Sequence, residues 1–234
     1  MKKIIVMILL FVLPAFAFDV YMSDEYRYRP KSDKLLFVID FSNSMSERLN
    51  HETKVNQVKE VMTAILPQIS PETKVGMRVY GHTCNLVAYS ACRSSELVVP
   101  LGFNNRDDIA YEMQKLRPKG MTPITYSLKQ AVRKDLDGYE GIKHIILLTD
   151  GGENCDESPC DYSIELMKHR RDIKIDVIAF DVDDSDDLAQ LKCTADVTGG
   201  IFSNVETKAE LFRSMEKFIV PHKNVEAVIY TGEK

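Results

Sequence analysis

What the sequence lacks narrows it first. Beyond residue 13 there is no second long apolar run, so nothing in the mature chain reads as a membrane-spanning helix. There is no surplus of positive charge. Thirty lysines and arginines stand against 35 aspartates and glutamates, a net charge of -5, which makes nucleic acid and anionic membranes poor partners. No Cys-x-x-Cys pair occurs, which removes the tight thiolate spacing of structural zinc sites. There is no Gly-x-Ser-x-Gly elbow for a serine nucleophile and no glycine-rich loop for phosphate. Internal repeats and low-complexity segments are also missing.

What is present begins with a leader. Lys2 and Lys3 precede the apolar run Ile4 to Leu13, and Ala15-Phe16-Ala17 fits the small-x-small cleavage rule. Residues 1–17 read as a secretory signal peptide cleaved after Ala17. No cysteine follows the run, which argues against a lipid-anchored form. Cleavage leaves 217 residues and takes the charge to -7. That length suits one domain, located in the periplasm or secreted.

Residues 18–32 are polar and tyrosine-rich without a period, as in an extended arm or linker. From there apolar strands alternate with helical patterns. Strands are predicted at 35–40, 74–81, 96–102, 141–150, 173–181 and 201–203. Helices are predicted near 53–66, 105–117, 123–136, 160–171, 185–195 and 207–219. Residues 221–234 form a tail. Several strands are apolar on both faces, which implies a mostly parallel sheet with helices on both sides. The fold class is α/β, doubly wound. The strand at 96–101 carries Pro100 and reads as the one antiparallel edge.

Five cysteines remain: Cys84, Cys92, Cys155, Cys160 and Cys193. In an exported chain they imply disulfides, at most two, with one thiol left over. The short interval between Cys84 and Cys92 suggests a bridge across a hairpin loop. The second pair would come from Cys155, Cys160 and Cys193, and the spacing leaves open which two. A zinc site built from His82, Cys84 and Cys92 is the weaker alternative.

The chemistry concentrates where strands end. "VIDFSNSMSE" (38–47) closes a buried strand on Asp40 and then places Ser42 and Ser44 at alternate positions. "HIILLTD" (144–150) closes another on Asp150. In a parallel sheet both carboxyl ends lie on one edge, where such folds bind ligands. The loop "KGMTPI" (119–124) adds Thr122. The set is all oxygen, with two carboxylates and three hydroxyls. It suits a hard cation, Mg²⁺ first and Mn²⁺ or Ca²⁺ next. Taken alone, Ser42 and Ser44 would more simply be helix caps.

Asp40-Phe-Ser42-Asn-Ser44, Thr122 in a Gly-x-Thr-Pro loop, and Asp150-Gly151 after an apolar strand resemble the metal-ion-dependent adhesion site of the von Willebrand factor type A domain family. The resemblance covers residues 33–220, and the cysteine-bearing segments "GGENCDESPC" and "LKCTADVTGG" resemble a bacterial exported branch. It implies a Rossmann-like fold. It implies a metal reached by Ser42, Ser44 and Thr122 directly or through water, with Asp40 and Asp150 mostly behind water. One position is left for an Asp or Glu of a protein partner, and no catalysis is implied.

Other readings compete. The protein could be a structural subunit of an envelope complex, its metal only ordering loops. A Mg²⁺-dependent hydrolase would need further carboxylates and a phosphate-binding lysine. "DVDDSDD" (181–187) fails as a calcium loop, because Asp186 and Lys192 stand where glycine and a bidentate glutamate are needed. It reads instead as acids at a helix N-terminus, with Asp181 at the border of the strand-edge site. Phe41, Asn43 and Met45 receive no role.

Overall fold

The computed structural model describes residues 34–83 and 87–219. The leader, the arm and the tail expected from the sequence lie outside the described residues, as does Cys84. The first strand, β1 (Lys34–Asp40), is buried at every position. It is followed along the chain by a helix α1 (Lys54–Ile65) and by β2 (Lys74–Tyr80). There follow β3 (Ser95–Gly102), α2 (Arg106–Lys115), α3 (Ile124–Gln130), β4 (Lys143–Thr149), α4 (Pro159–Met167), β5 (Ile173–Phe180), α5 (Ser185–Thr198), β6 (Phe202–Val205) and α6 (Lys208–Ile219). The order across the sheet is β3-β2-β1-β4-β5-β6. Within this six-stranded sheet only the β2–β3 pairing is antiparallel, and β3 with Pro100 is an edge strand.

Because side chains alternate along a strand, β1 feeds two cores. Leu35, Phe37 and Ile39 pack with Val58 and Met62 of α1, Ile109 of α2 and Leu211 of α6. Leu36 and Val38 pack with Leu128 of α3, Leu166 of α4 and Leu191 of α5. Each face of the sheet is thus covered by three helices. No helix among the described residues is long and apolar enough to cross a membrane.

The structure adds detail that the hydrophobic pattern did not carry. The helix expected over 123–136 is α-helical only to Gln130 and continues as a π-helical turn at Ala131–Asp135. A two-residue ladder joins Arg48–Leu49 to Glu52–Thr53. Such short features depend on tertiary contacts rather than on periodicity.

The disulfides correct the sequence reading. Cys92 bonds Cys155, and Cys160 bonds Cys193. Cys92 does not pair with Cys84. It caps a short helix at Ala88–Ala91, where its Cα lies 5.4 Å from that of Cys155 in the loop after β4. Nearness in sequence lost to nearness across the sheet edge. The bridged Cys92 is also withdrawn from any zinc site, and His82 Nε2 lies 3.0 Å from Glu96 Oε2. The two bridges span 63 and 33 residues, and loop-closure entropy assigns each about 4 kcal/mol.

Candidate metal site

The order β3-β2-β1-β4 reverses direction between β1 and β4, the switch point where a doubly wound sheet opens a crevice at its carboxyl edge. β1 and β4 are hydrogen-bonded neighbours. Asp40 ends β1 and Asp150 follows β4, so residues 110 positions apart meet at one crevice.

Contacts run across that crevice in sequence. Asp40 Oδ1 accepts from the Ser42 amide at 2.6 Å. Ser42 Oγ and Ser44 Oγ are 3.0 Å apart, and Ser44 Oγ donates to Asp150 Oδ1 at 2.7 Å. Asp40 Oδ2 lies 2.8 Å from Thr149 Oγ1 and accepts from Tyr80 OH at 3.2 Å. Ser42 does precede a short 3₁₀ turn, Asn43–Ser46, but its hydroxyl makes no capping bond there. Helix capping therefore does not account for the serine pair.

Backbone close to backbone brings the loop that carries Thr122 beside Ser42. Ser42 and Gly120 form a parallel bridge, and Asn43 N donates to Gly120 O at 3.0 Å. Gly120 N donates to Gly81 O at 2.7 Å. A Cβ on Gly81 would stand 2.5 Å from Ser42 N, and one on Gly120 would stand 2.5 Å from Thr83 O. Only glycine permits this approach at either position. The Thr122 amide donates to Asn154 Oδ1 at 2.7 Å. Glu153 Oε2 accepts from Thr125 N at 2.7 Å and its Oε1 from Cys155 N at 3.0 Å. The same Cys155 carries the bridge to Cys92. The segment 153–155 thus ties the Thr122 loop to the end of β4.

Phe41 and Met45, unassigned from the sequence, are core residues with no exposure, and their burial fixes the face that Ser42 and Ser44 present. Asn43 is exposed at the rim.

Burial pushes the Asp40 carboxyl up to about 7, and the nearby charge of Asp150 adds to it. Asp150 and Glu153 are also raised, chiefly by burial. Among the described residues Asp40 has no ion-pair partner, so the crevice holds negative charge that hydroxyls only partly offset. Two carboxylates with three short hydroxyls, and no imidazole or thiolate needed, fit a hard divalent cation.

Sequence reasoning missed one charged group. Lys54, the first residue of α1, is 4% exposed, and its Nζ lies 3.0 Å from Asp181 Oδ2, 3.3 Å from Asp150 Oδ2 and 3.6 Å from Glu47 Oε2. The Asp150 contact is an ion pair with a side chain that is wholly buried. Burial works against the Lys54 ammonium, but Asp181 and Asp150 outweigh it and raise its pKa. Asp181 takes a left-handed φ of 59°, and Asp184, not Asp181, caps α5 by accepting from Asp186 N and Asp187 N. A lysine in the first helical turn opposes the helix dipole, and that was the one signal of its role.

Comparison with known proteins agrees with this fold. A family model described as von Willebrand factor type A domain matches residues 33–203. The uncharacterized protein YwmC of Bacillus subtilis (strain 168) is 30% identical over 208 residues, 87% of this chain and 89% of the relative. Among solved structures, proximal thread matrix protein 1 from the mussel byssus, with a zinc occupied MIDAS motif, superposes with a TM-score of 0.61 at 22% identity. That match covers 80% of this chain and 44% of the byssus chain, so this protein spans less than half of that one. The pilus adhesin SpaC from Lactobacillus rhamnosus GG, open conformation, gives 0.61 at 12% identity over 82% of this chain and 30% of the adhesin. At these identities both structures speak to fold alone.

Proposed function

Because the chain belongs to the von Willebrand factor type A domain family, we propose that it is an exported, non-catalytic protein that binds a protein partner through a divalent cation. Asp40, Ser42, Ser44, Thr122 and Asp150 would hold the ion, with Mg²⁺ as the first choice and Mn²⁺ or Ca²⁺ as alternatives. The observation that carries the reading is the run of contacts Asp40–Ser42–Ser44–Asp150 across the switch point.

The bound ion would supply one open coordination position for a carboxylate of the partner. The protein's own residues do the rest. Hydroxyls add donor oxygens without adding charge, so the site stays attractive to an acid from outside. Gly81 and Gly120 let two loops approach closely enough for their side chains to share one ion. Asn154 and Glu153 fix the Thr122 loop. Export rests on the leader read from residues 1–17 and on two disulfides, which belong to oxidising compartments. The adhesin among the fold neighbours is in keeping with a binding role.

The test is affinity capture from the native envelope, with Mg²⁺ and with EDTA. A partner retained only with Mg²⁺ supports the reading. A partner retained equally under chelation would favour a structural subunit whose metal merely orders loops.

A further inference from the structure

Lys54 carries an inference that builds on this metal-site reading. A buried ammonium is costly, and at a helix N-terminus the dipole adds to the cost. Three carboxylates answer it: Asp181 at 3.0 Å, Asp150 at 3.3 Å and the largely exposed Glu47 at 3.6 Å. They come from the ends of β5 and β4 and from the loop after β1, so one side chain joins three segments of the sheet edge. Asp181 reaches it from a left-handed backbone conformation that a non-glycine residue seldom adopts, and its amide is fixed by Val205 O at 2.8 Å.

The two oxygens of Asp150 are divided. Oδ1 faces the serine pair, accepting from Ser44, and Oδ2 faces Lys54. Whatever cation sits among the serines shares Asp150 with a resident ammonium. We propose that Lys54 is a built-in counter-ion of the metal site. It holds Asp150 and Asp181 in place when the site carries no ion, and its charge opposes the arriving ion and so keeps metal affinity low.

A residue that only supports the fold would lower stability and metal affinity together when removed. A counter-ion moves them in opposite directions. In Lys54→Met, the buried Asp150 and the part-exposed Asp181 lose their partner, and the metal-free protein should melt ~10 °C below wild type. The Mg²⁺ concentration at half-saturation should fall at least about tenfold, because a unit charge is removed close to a doubly charged ion. Lys54→Arg keeps the charge and should stay within about threefold of wild type. Lys54→Gln keeps a hydrogen-bond donor without charge, and it supplies the same comparison if the methionine variant does not fold.

The measurement is calorimetric titration with MgCl₂, together with melting in EDTA, on all four proteins. Tighter binding with lower metal-free stability in the neutral variants supports the proposal. Binding that is weaker or unchanged in them, while wild type still binds Mg²⁺, overturns it and leaves the metal-site reading intact. No Mg²⁺ binding by any of the four, wild type included, overturns both.

Discussion

Two buried charge clusters in this molecule are built on opposite plans. Beneath β2, the Arg78 guanidinium grips Asp135 with both prongs, Nε to Oδ2 at 2.5 Å and Nη2 to Oδ1 at 2.8 Å, while Nη1 donates to Ser95 Oγ at 3.0 Å. Every charge there is matched within the protein. At the carboxyl edge, Asp40 and Asp150 are answered by hydroxyls, a backbone amide and one lysine shared with Asp181. Both clusters are buried, so burial alone does not mark a site. What distinguishes the edge is charge left incompletely answered at the one place where the sheet topology opens a crevice.

Breaking the matched cluster should produce the largest loss. Arg78→Ala leaves Asp135 buried and unpaired, and should cost about 3–5 kcal/mol in urea unfolding. Its Mg²⁺ response should be unchanged once folded. A comparable loss of Mg²⁺ response would show that the two clusters are coupled after all.

The disulfides sharpen the same contrast. Replacing either pair by serines should cost up to about 4 kcal/mol. Only the Cys92→Ser/Cys155→Ser variant should also weaken Mg²⁺ binding, because Cys155 adjoins the Asn154 and Glu153 clamps on the Thr122 loop. The Cys160–Cys193 bridge joins α4 to α5 away from those clamps. Titration of both serine variants with Mg²⁺ checks this.

Proton competition gives a smaller effect with a definite sign. The Asp40 carboxyl is raised from 3.8 to about 7 in the folded protein. The folded, metal-free state therefore holds this proton more tightly than the unfolded chain does. The resulting penalty on stability is absent below the unfolded value and complete above about 7. Metal needs the ionised form, so Mg²⁺ affinity should drop on the order of tenfold between pH 7.5 and pH 6. Equal affinity at both values would contradict the role given to Asp40. The smallest change should come from Asn154→Ala, which frees the Thr122 amide and should cost about 1 kcal/mol, read as a small loss of Mg²⁺-dependent melting shift.

Much of this was legible before the structure. Unbroken apolar runs gave β1 and β4, and Pro100 gave the edge strand. Alternate serines after Asp40, with Thr122 and Asp150 far along the chain, pointed to an oxygen site. What was not legible depends on distance in space. Lys54 sat in a helix recognised from its valines, and nothing in that period says that a first-turn lysine reaches the ends of two other strands. Cys92 is eight residues from Cys84, but the turn of the Ala88–Ala91 helix carries it to Cys155. Phe41 and Met45 had no role in the sequence reading and are core: Phe41 continues the inward alternation of Phe37 and Ile39, and Met45 is buried from within the 3₁₀ turn Asn43–Ser46.

The most direct test of the central claim is the melting temperature of wild type and Asp150→Ala, each in EDTA and in saturating Mg²⁺. Wild type should gain stability with Mg²⁺, by about 2.7 kcal/mol at a hundredfold excess over the dissociation constant, and Asp150→Ala should gain none. An equal Mg²⁺ response in the two proteins would contradict the site described here.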